Sequence, residues 1–411
     1  MKYRKLMALV CIVSLGLAAC GKDTLPNFQQ TEIPTASVQE RLEVRCKEIA
    51  ALYRPLYEAL DGTAPTQSDI DTMEELLIRK GLDVIDTNGI YPSYLVTPEH
   101  FHSFWNAVQN QKQAEQEVIM IAASGVLVYR LFTYDGTVGF LYSMTYPLDG
   151  ESEPSYECHS IKDWDLTEKE NFFYRVLPAN DKHYPDFSRI RLAPPNHELY
   201  DMTMHYIFPI GYIAANVFLI DWSEENWENL SFNDQFEYLY LTRFGKQFNG
   251  DGYPMLKNQY GYAIPGEEFE TVVLPYYNID LDTFRELAQY DSDGDYYPWR
   301  PLETNDFAFI WYYNIEPEVT AYSENADGTL TLTVEALSTD LKTDCLFAHE
   351  VTVRPLENGE FQYIGNRVTF QTEYGLPCTV PRRMWEFKES SDEIGKNRPS
   401  CSADDDSSGT A

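Results

Sequence analysis

Carboxylates at alternate positions are the most suggestive chemical pattern in this 411-residue chain. In Asp291-Ser-Asp293-Gly-Asp295, the three carboxylates converge on one hard cation if the backbone turns between them, which is calcium chemistry. A calcium loop places glycine sixth and a bidentate glutamate twelfth, whereas Tyr296 and Leu302 stand there and Gly294 is fourth. Asp291, Asp293 and Asp295 are therefore the candidate calcium ligands, set against a plain turn of solvated carboxylates. The seven histidines are scattered. His100 and His102 lie two apart on an expected helix, so they point about 200° apart and do not share a metal. Cys158 and His159 are neighbours on an expected strand, which puts them on opposite faces and denies them a nucleophile–base pairing. Ser124-Gly125 lacks the Gly-x-Ser-x-Gly frame of a hydrolase elbow. No catalytic residue is assigned. Tyr296, Tyr297 and Trp299, with Trp311, Tyr312 and Tyr313, form either a stacking platform for a sugar or part of an aromatic core.

The N-terminus supplies an address. Lys2, Arg4 and Lys5 precede an apolar run over 6–17, and Leu17-Ala18-Ala19-Cys20 closes it. This is a secretory signal, too short for a spanning helix. Leu17-Ala18-Ala19-Cys20 resembles the lipobox of bacterial lipoproteins. That resemblance implies cleavage before Cys20 and lipid, palmitate included, on its thiol. One acyl chain binds a membrane only marginally, and two hold it stably. Residues 21–35 are polar and carry Pro26 and Pro34, so they read as a tether.

Three of the 31 basic residues precede the cleavage point, which leaves 28 against 65 acidic residues and a net charge of −37. Nucleic acid and anionic headgroups repel such a chain, so neither is an expected partner. Five cysteines follow Cys20, at spacings that match no zinc motif. An exported setting permits disulfides, and Cys345 with Cys378 is the preferred pair. With 44% hydrophobic and 14% aromatic residues, the body buries a sizeable core.

These groups must be positioned by the elements that the periodicities predict. Val38, Leu42, Cys46, Ile49, Tyr53, Leu56 and Leu60 recur every three or four residues, with Ser37 and Glu40 as a capping box and Pro55 as an expected kink or break. Ser68 is the expected cap of a second helix, and Thr97 of a third that buries Phe101, Phe104, Trp105 and Val108. Strands over 126–134 and 138–146 flank Asp135-Gly136, with a second pair over 155–163 and 172–177. The uncharged run 202–220 holds Pro209 and Gly211, so it reads as buried chain rather than a membrane span. Ser231 opens a further helix that Gly245 ends, and two more follow over 265–274 and 281–290. Hairpins around Asp327-Gly328 and Asn358-Gly359 complete a C-terminal antiparallel meander. The fold class is α+β: N-terminal helices with antiparallel hairpins, then helices followed by that meander. The expected organisation is a signal at 1–19, a tether at 20–36, α+β domains at 37–195 and 196–388, and a disordered acidic tail at 389–411.

Ile264-Pro265, Glu268-Phe269-Glu270 and Tyr363-Ile364-Gly365-Asn366-Arg367-Val368 resemble segments of uncharacterised lipoproteins of anaerobic Gram-positive bacteria. The resemblance implies a surface address and no particular activity. The expected function is ligand or protein binding at the cell envelope, on the extracytoplasmic face of the cell membrane, or at the outer membrane of a Gram-negative host. The expected partner is an unknown protein or glycan. The alternative is a carboxylate-dependent glycan or cell-wall hydrolase, since 65 acidic residues offer many carboxyl pairs.

Overall fold

Period-two alternation along the strands decides how the first of two units is layered. The structure is a computed structural model and describes residues 35–87, 89–177, 187–213, 215–256, 261–301 and 314–377. Unit 1 comprises Met1–Tyr200 and Thr339–Asp344, and unit 2 comprises Asp201–Ser338 and Cys345–Ala411. The sequence expectation placed the boundary at 195/196, with all later residues in the second domain. Among the described residues, seven α-helices and fifteen strands make an α+β fold.

Unit 1 opens with α1 (Thr35–Glu58) and α2 (Gln67–Arg79). Leu42, Cys46, Ile49 and Tyr53 bury the expected face of α1. Pro55 does not split this helix. It stands in the last turn, where its missing N–H removes a single helical bond. The cap of α2 is Thr66 rather than Ser68: Thr66 accepts from the Asp69 amide, and Asp69 Oδ2 accepts from the Thr66 amide at 2.8 Å. Such a reciprocal pair satisfies two N–H groups at once.

Strands β1 (Ile85–Asp86) and β2 (Tyr94–Leu95) precede α3 (Glu99–Gln109). A meander follows: β3 (Ala114–Ile121), β4 (Leu127–Tyr134), β5 (Gly139–Tyr146), β6 (Ser155–Leu166), β7 (Asn171–Leu177) and β8 (Phe187–Arg191). The sheet order is β1-β2-β8-β7-β6-β5-β4-β3. Val84 also bridges in parallel to Ile119 on β3, so the sheet curls and its two ends meet. Ile119, Ile121, Leu127, Tyr129, Leu131, Tyr142 and Met144 pack on one face with α1 and α2. Val118, Phe132 and Leu141, of the opposite parity, pack on the other with Phe101, Phe104 and Trp105 of α3. Both faces of the meander are therefore covered.

In unit 2, the run 202–220 packs inward through Tyr206, Ile207, Ile210, Tyr212, Val217 and Phe218. Its regular structure is one π-helical turn at Thr203–Ile207. Among the described residues no helix is long and apolar enough to cross a membrane. The helices are α4 (His197–Met202, which begins in unit 1), α5 (Phe236–Phe244), α6 (Gly266–Val273) and α7 (Leu281–Leu287). The Ser231 cap is not formed, because a 3₁₀ turn at Asn233–Gln235 leads directly into α5. Strands β10 (Tyr262–Pro265) and β11 (Tyr296–Trp299) pair with each other. The remaining strands are β9 (Trp222–Ser223), β12 (Ile315–Glu324), β13 (Leu330–Ser338), β14 (Thr343–Pro355) and β15 (Phe361–Gln371), in the order β12-β13-β14-β15-β9. At the Asn358-Gly359 turn both φ angles are positive, 63° and 78°. That is the backbone twist a tight hairpin needs.

Candidate functional site

The loop after α7 turns two of its three carboxylates on its own residues. Asp291 Oδ1 accepts from the amides of Asp293 at 3.0 Å and Gly294 at 2.9 Å. The Gly294 bond is the largest cause holding the Asp291 carboxyl below its ordinary range. Asp295 Oδ1 accepts from the Tyr290 hydroxyl at 2.8 Å. Among the described residues no group of three or more His, Cys, Asp or Glu is arranged to hold a metal ion. Asp291, Asp293 and Asp295 thus share a turn but are not brought together as ligands. Nearby, Glu270 Oε1 accepts from Arg285 Nε and the Tyr297 hydroxyl, both at 2.8 Å. Tyr297 and Trp299 are buried, which leaves half-buried Tyr296 of the described aromatic group at the surface. Trp311, Tyr312 and Tyr313 lie outside the described residues, as do Cys20 and Cys378. Cys345 is half-buried on β14, its Sγ donating to the Phe347 carbonyl at 3.4 Å. Cys158 pairs in register with Tyr142, and burial pushes its thiol up, away from the thiolate a nucleophile requires.

The arrangement with most chemical content lies in unit 1 and centres on Asp83. This residue follows α2, and the backbone fixes it: its carbonyl accepts from the Ile119 amide at 2.9 Å. Asp83 is 7% exposed. Its Oδ1 accepts from Thr97 Oγ1 at 2.9 Å, and its Oδ2 from Gln116 Nε2 at 2.6 Å. His100 Nδ1 lies 3.0 and 3.1 Å from the two oxygens. A carboxylate accepts, so His100 Nδ1–H donates to Asp83 and Nε2 faces away from it. The His100 side chain is 68% exposed. A buried carboxylate therefore orients an accessible imidazole.

This imidazole sits in a groove with Arg45, Gly81, Ser103, Glu115 and Glu117. Arg45 holds Glu117 through Nε at 3.2 Å and Nη2 at 3.0 Å, and reaches Glu48 at 3.3 Å. The bond to Glu117 is the main cause raising the Arg45 guanidinium above its ordinary value. Arg41 holds Glu115 at 3.3 Å. Ser103 Oγ donates to the Glu99 carbonyl at 2.9 Å, and no hydroxyl or thiol among the described residues bonds His100 Nε2. His102 takes a separate partner, Glu170, at 2.5 Å, as its opposite helical direction requires.

Sequence reasoning weighed His100 only as a metal ligand and missed Asp83 and Gln116. Their meeting depends on Thr97, whose hydroxyl goes to Asp83 and leaves α3 without a side-chain cap. A Thr-Pro start reads as a cap in isolation, so no local signal distinguishes the two uses.

Two α+β units, the first with a polar groove built around an oriented imidazole, define the class of this protein. The chain belongs to a family of unknown function, DUF6070, whose profile matches residues 39–382. No curated protein and no solved structure matches it.

Proposed function

We propose that the chain is a lipid-anchored envelope protein that binds a protein or glycan ligand without catalysis, and that the groove of unit 1 is its binding site. Cys20 supplies the anchor on the extracytoplasmic face. The observation that carries the binding reading is the oriented His100, whose Nε2 meets no hydroxyl or thiol among the described residues. Ser103, the hydroxyl lining the same groove, is turned to Glu99. Acyl transfer needs the base bonded to the nucleophile, whereas recognition needs only a fixed, accessible polar group. The rival reading, a carboxylate-dependent glycan hydrolase, draws less support: glycoside hydrolysis needs one protonated carboxyl group. Glu115 and Glu117 are each engaged by an arginine.

A photo-crosslinking amino acid at position 103 of the full-length chain, irradiated in cells, tests the site. Adducts are expected, and they fade when His100→Ala is added. Their absence overturns the binding reading. An alkyne fatty acid should label the wild type and not Cys20→Ala; equal labelling of both overturns the anchor.

A further inference from the structure

We infer that the groove takes an uncharged, hydroxyl-rich ligand of the saccharide class, with His100 Nε2 hydrogen-bonded to a ligand hydroxyl. The inference rests on the binding reading above and names its ligand chemistry. The charged side chains of the groove already satisfy one another. Arg45, the guanidinium that lines it, is committed to Glu117 at 3.0 Å and Glu48 at 3.3 Å, and Glu115 is held at 3.3 Å by Arg41 from beside the groove. The charge of Arg45 is offset by the Glu117 and Glu48 carboxylates, and the chain's net negative charge repels anions at longer range. The carboxylates that would take an ammonium group are held by those same arginines.

What the groove still offers is His100 Nε2 together with acceptors: the outer lone pairs of Glu115 and Glu117, and the lone pairs of Ser103 Oγ, whose proton goes to Glu99. A ligand that matches them brings several donors and no charge. Adjacent sugar hydroxyls do so, and each also accepts. Planar carboxylate and imidazole groups, fixed by second partners, meet such hydroxyl pairs without losing much rotamer freedom. Asp83 is the positioning residue, since its bonds to Thr97 and Gln116 keep the carboxylate in place when His100 engages a ligand.

Affinity electrophoresis of the full-length lipoprotein in detergent, through gels holding xylan, amylose, galactomannan or dextran, tests this, with muramidase-released peptidoglycan fragments as soluble competitors. Retardation or competition by at least one saccharide is expected. His100→Ala should weaken it about tenfold, the loss of one hydrogen bond, with the circular dichroism of the folded chain retained. His102→Ala, which removes the bond to Glu170 and not one to the groove, should leave it intact. Saccharide binding that survives His100→Ala overturns the assignment to this groove. Failure of every saccharide overturns the ligand class, as does binding to immobilised spermine in their place. In both cases the position-103 crosslink still decides the broader binding reading independently.

Discussion

Glu74 is a carboxylate whose surroundings favour its neutral form. It is 3% exposed on α2, and it accepts from Thr87 Oγ1 at 2.5 Å and from the Thr87 amide at 3.3 Å. Burial pushes its carboxyl from 4.5 up to about 7; the Thr87 bonds oppose the shift, and Asp86 and Asp71 add to it. A raised value in the folded state means that the stability it gives is complete below about 4.5 and lost as pH rises through about 7. Glu74→Gln keeps the acceptor and removes the charge. At pH 8 the variant should be more stable than wild type by on the order of 3 kcal/mol, and the gap should close below pH 5. Hydrogen exchange of the β3 and β4 amides reads this, and a difference independent of pH would refute it. None of this was legible beforehand. Glu74 reads as one more polar residue of an amphipathic helix until Thr87, thirteen residues on, is seen to meet it.

Hairpins are the elements most readable from sequence, because their turn residues state a backbone requirement. Asp135-Gly136, Asp327-Gly328 and Asn358-Gly359 each join paired strands. Helix starts were less readable, since several Ser and Thr residues compete for one cap and only the fold decides among them. Thr66 prevailed over Ser68, and Thr97 was drawn away to Asp83. Strands β1, β2, β3, β8, β9, β10 and β11 were not identified from sequence, because they lack a turn dipeptide or are only two residues long. Two glycines separate the two ways an element constrains a residue. Gly359 has φ 78° and open space around it, so Gly359→Ala should cost about 1 kcal/mol through backbone strain alone. Gly139 sits on β5, where an added Cβ would lie 2.6 Å from the Trp164 ring. That ring packs against Phe104, Trp105 and Tyr134, so Gly139→Ala should cost about 1–3 kcal/mol through displaced packing. Urea midpoints measure both losses. The acidic turn invites a different test: magnesium and calcium at equal ionic strength should raise the melting temperature equally, because the Asp291 and Asp295 carboxylates are already engaged by the turn and Tyr290. A calcium-specific rise abolished by Asp293→Asn would restore the metal reading.

Across the whole molecule, the two units should answer pH in opposite directions. Unit 1 carries Glu74, whose contribution falls as pH rises. Unit 2 carries His349, fully buried in its core. Tyr212 OH lies 2.9 Å from His349 Nε2, and His349 Nδ1 lies 2.7 Å from Asn366 Oδ1. The amide oxygen of Asn366 only accepts, so Nδ1 is the donor and Nε2 accepts from Tyr212. Asn366 is held in turn by its Nδ2 bond to the Ile220 carbonyl at 2.9 Å. Burial pushes His349 from 6.5 down to about 4, opposed by the Asn366 bond. A depressed value means that its stabilising contribution is present above 6.5 and lost as pH falls through about 4. Between pH 7 and pH 5, Glu74 should strengthen unit 1 and His349 should weaken unit 2, each by about 2 kcal/mol. Native-state hydrogen exchange, corrected for the intrinsic rate, reads β3 and β4 for the first unit and β14 and β15 for the second. The net negative charge adds a common term, because proton uptake relieves repulsion in both units. Opposite slopes would mean that the two buried groups outweigh it. Slopes of the same sign would mean that general repulsion outweighs His349 in unit 2, and Glu74→Gln would still flatten the unit 1 slope.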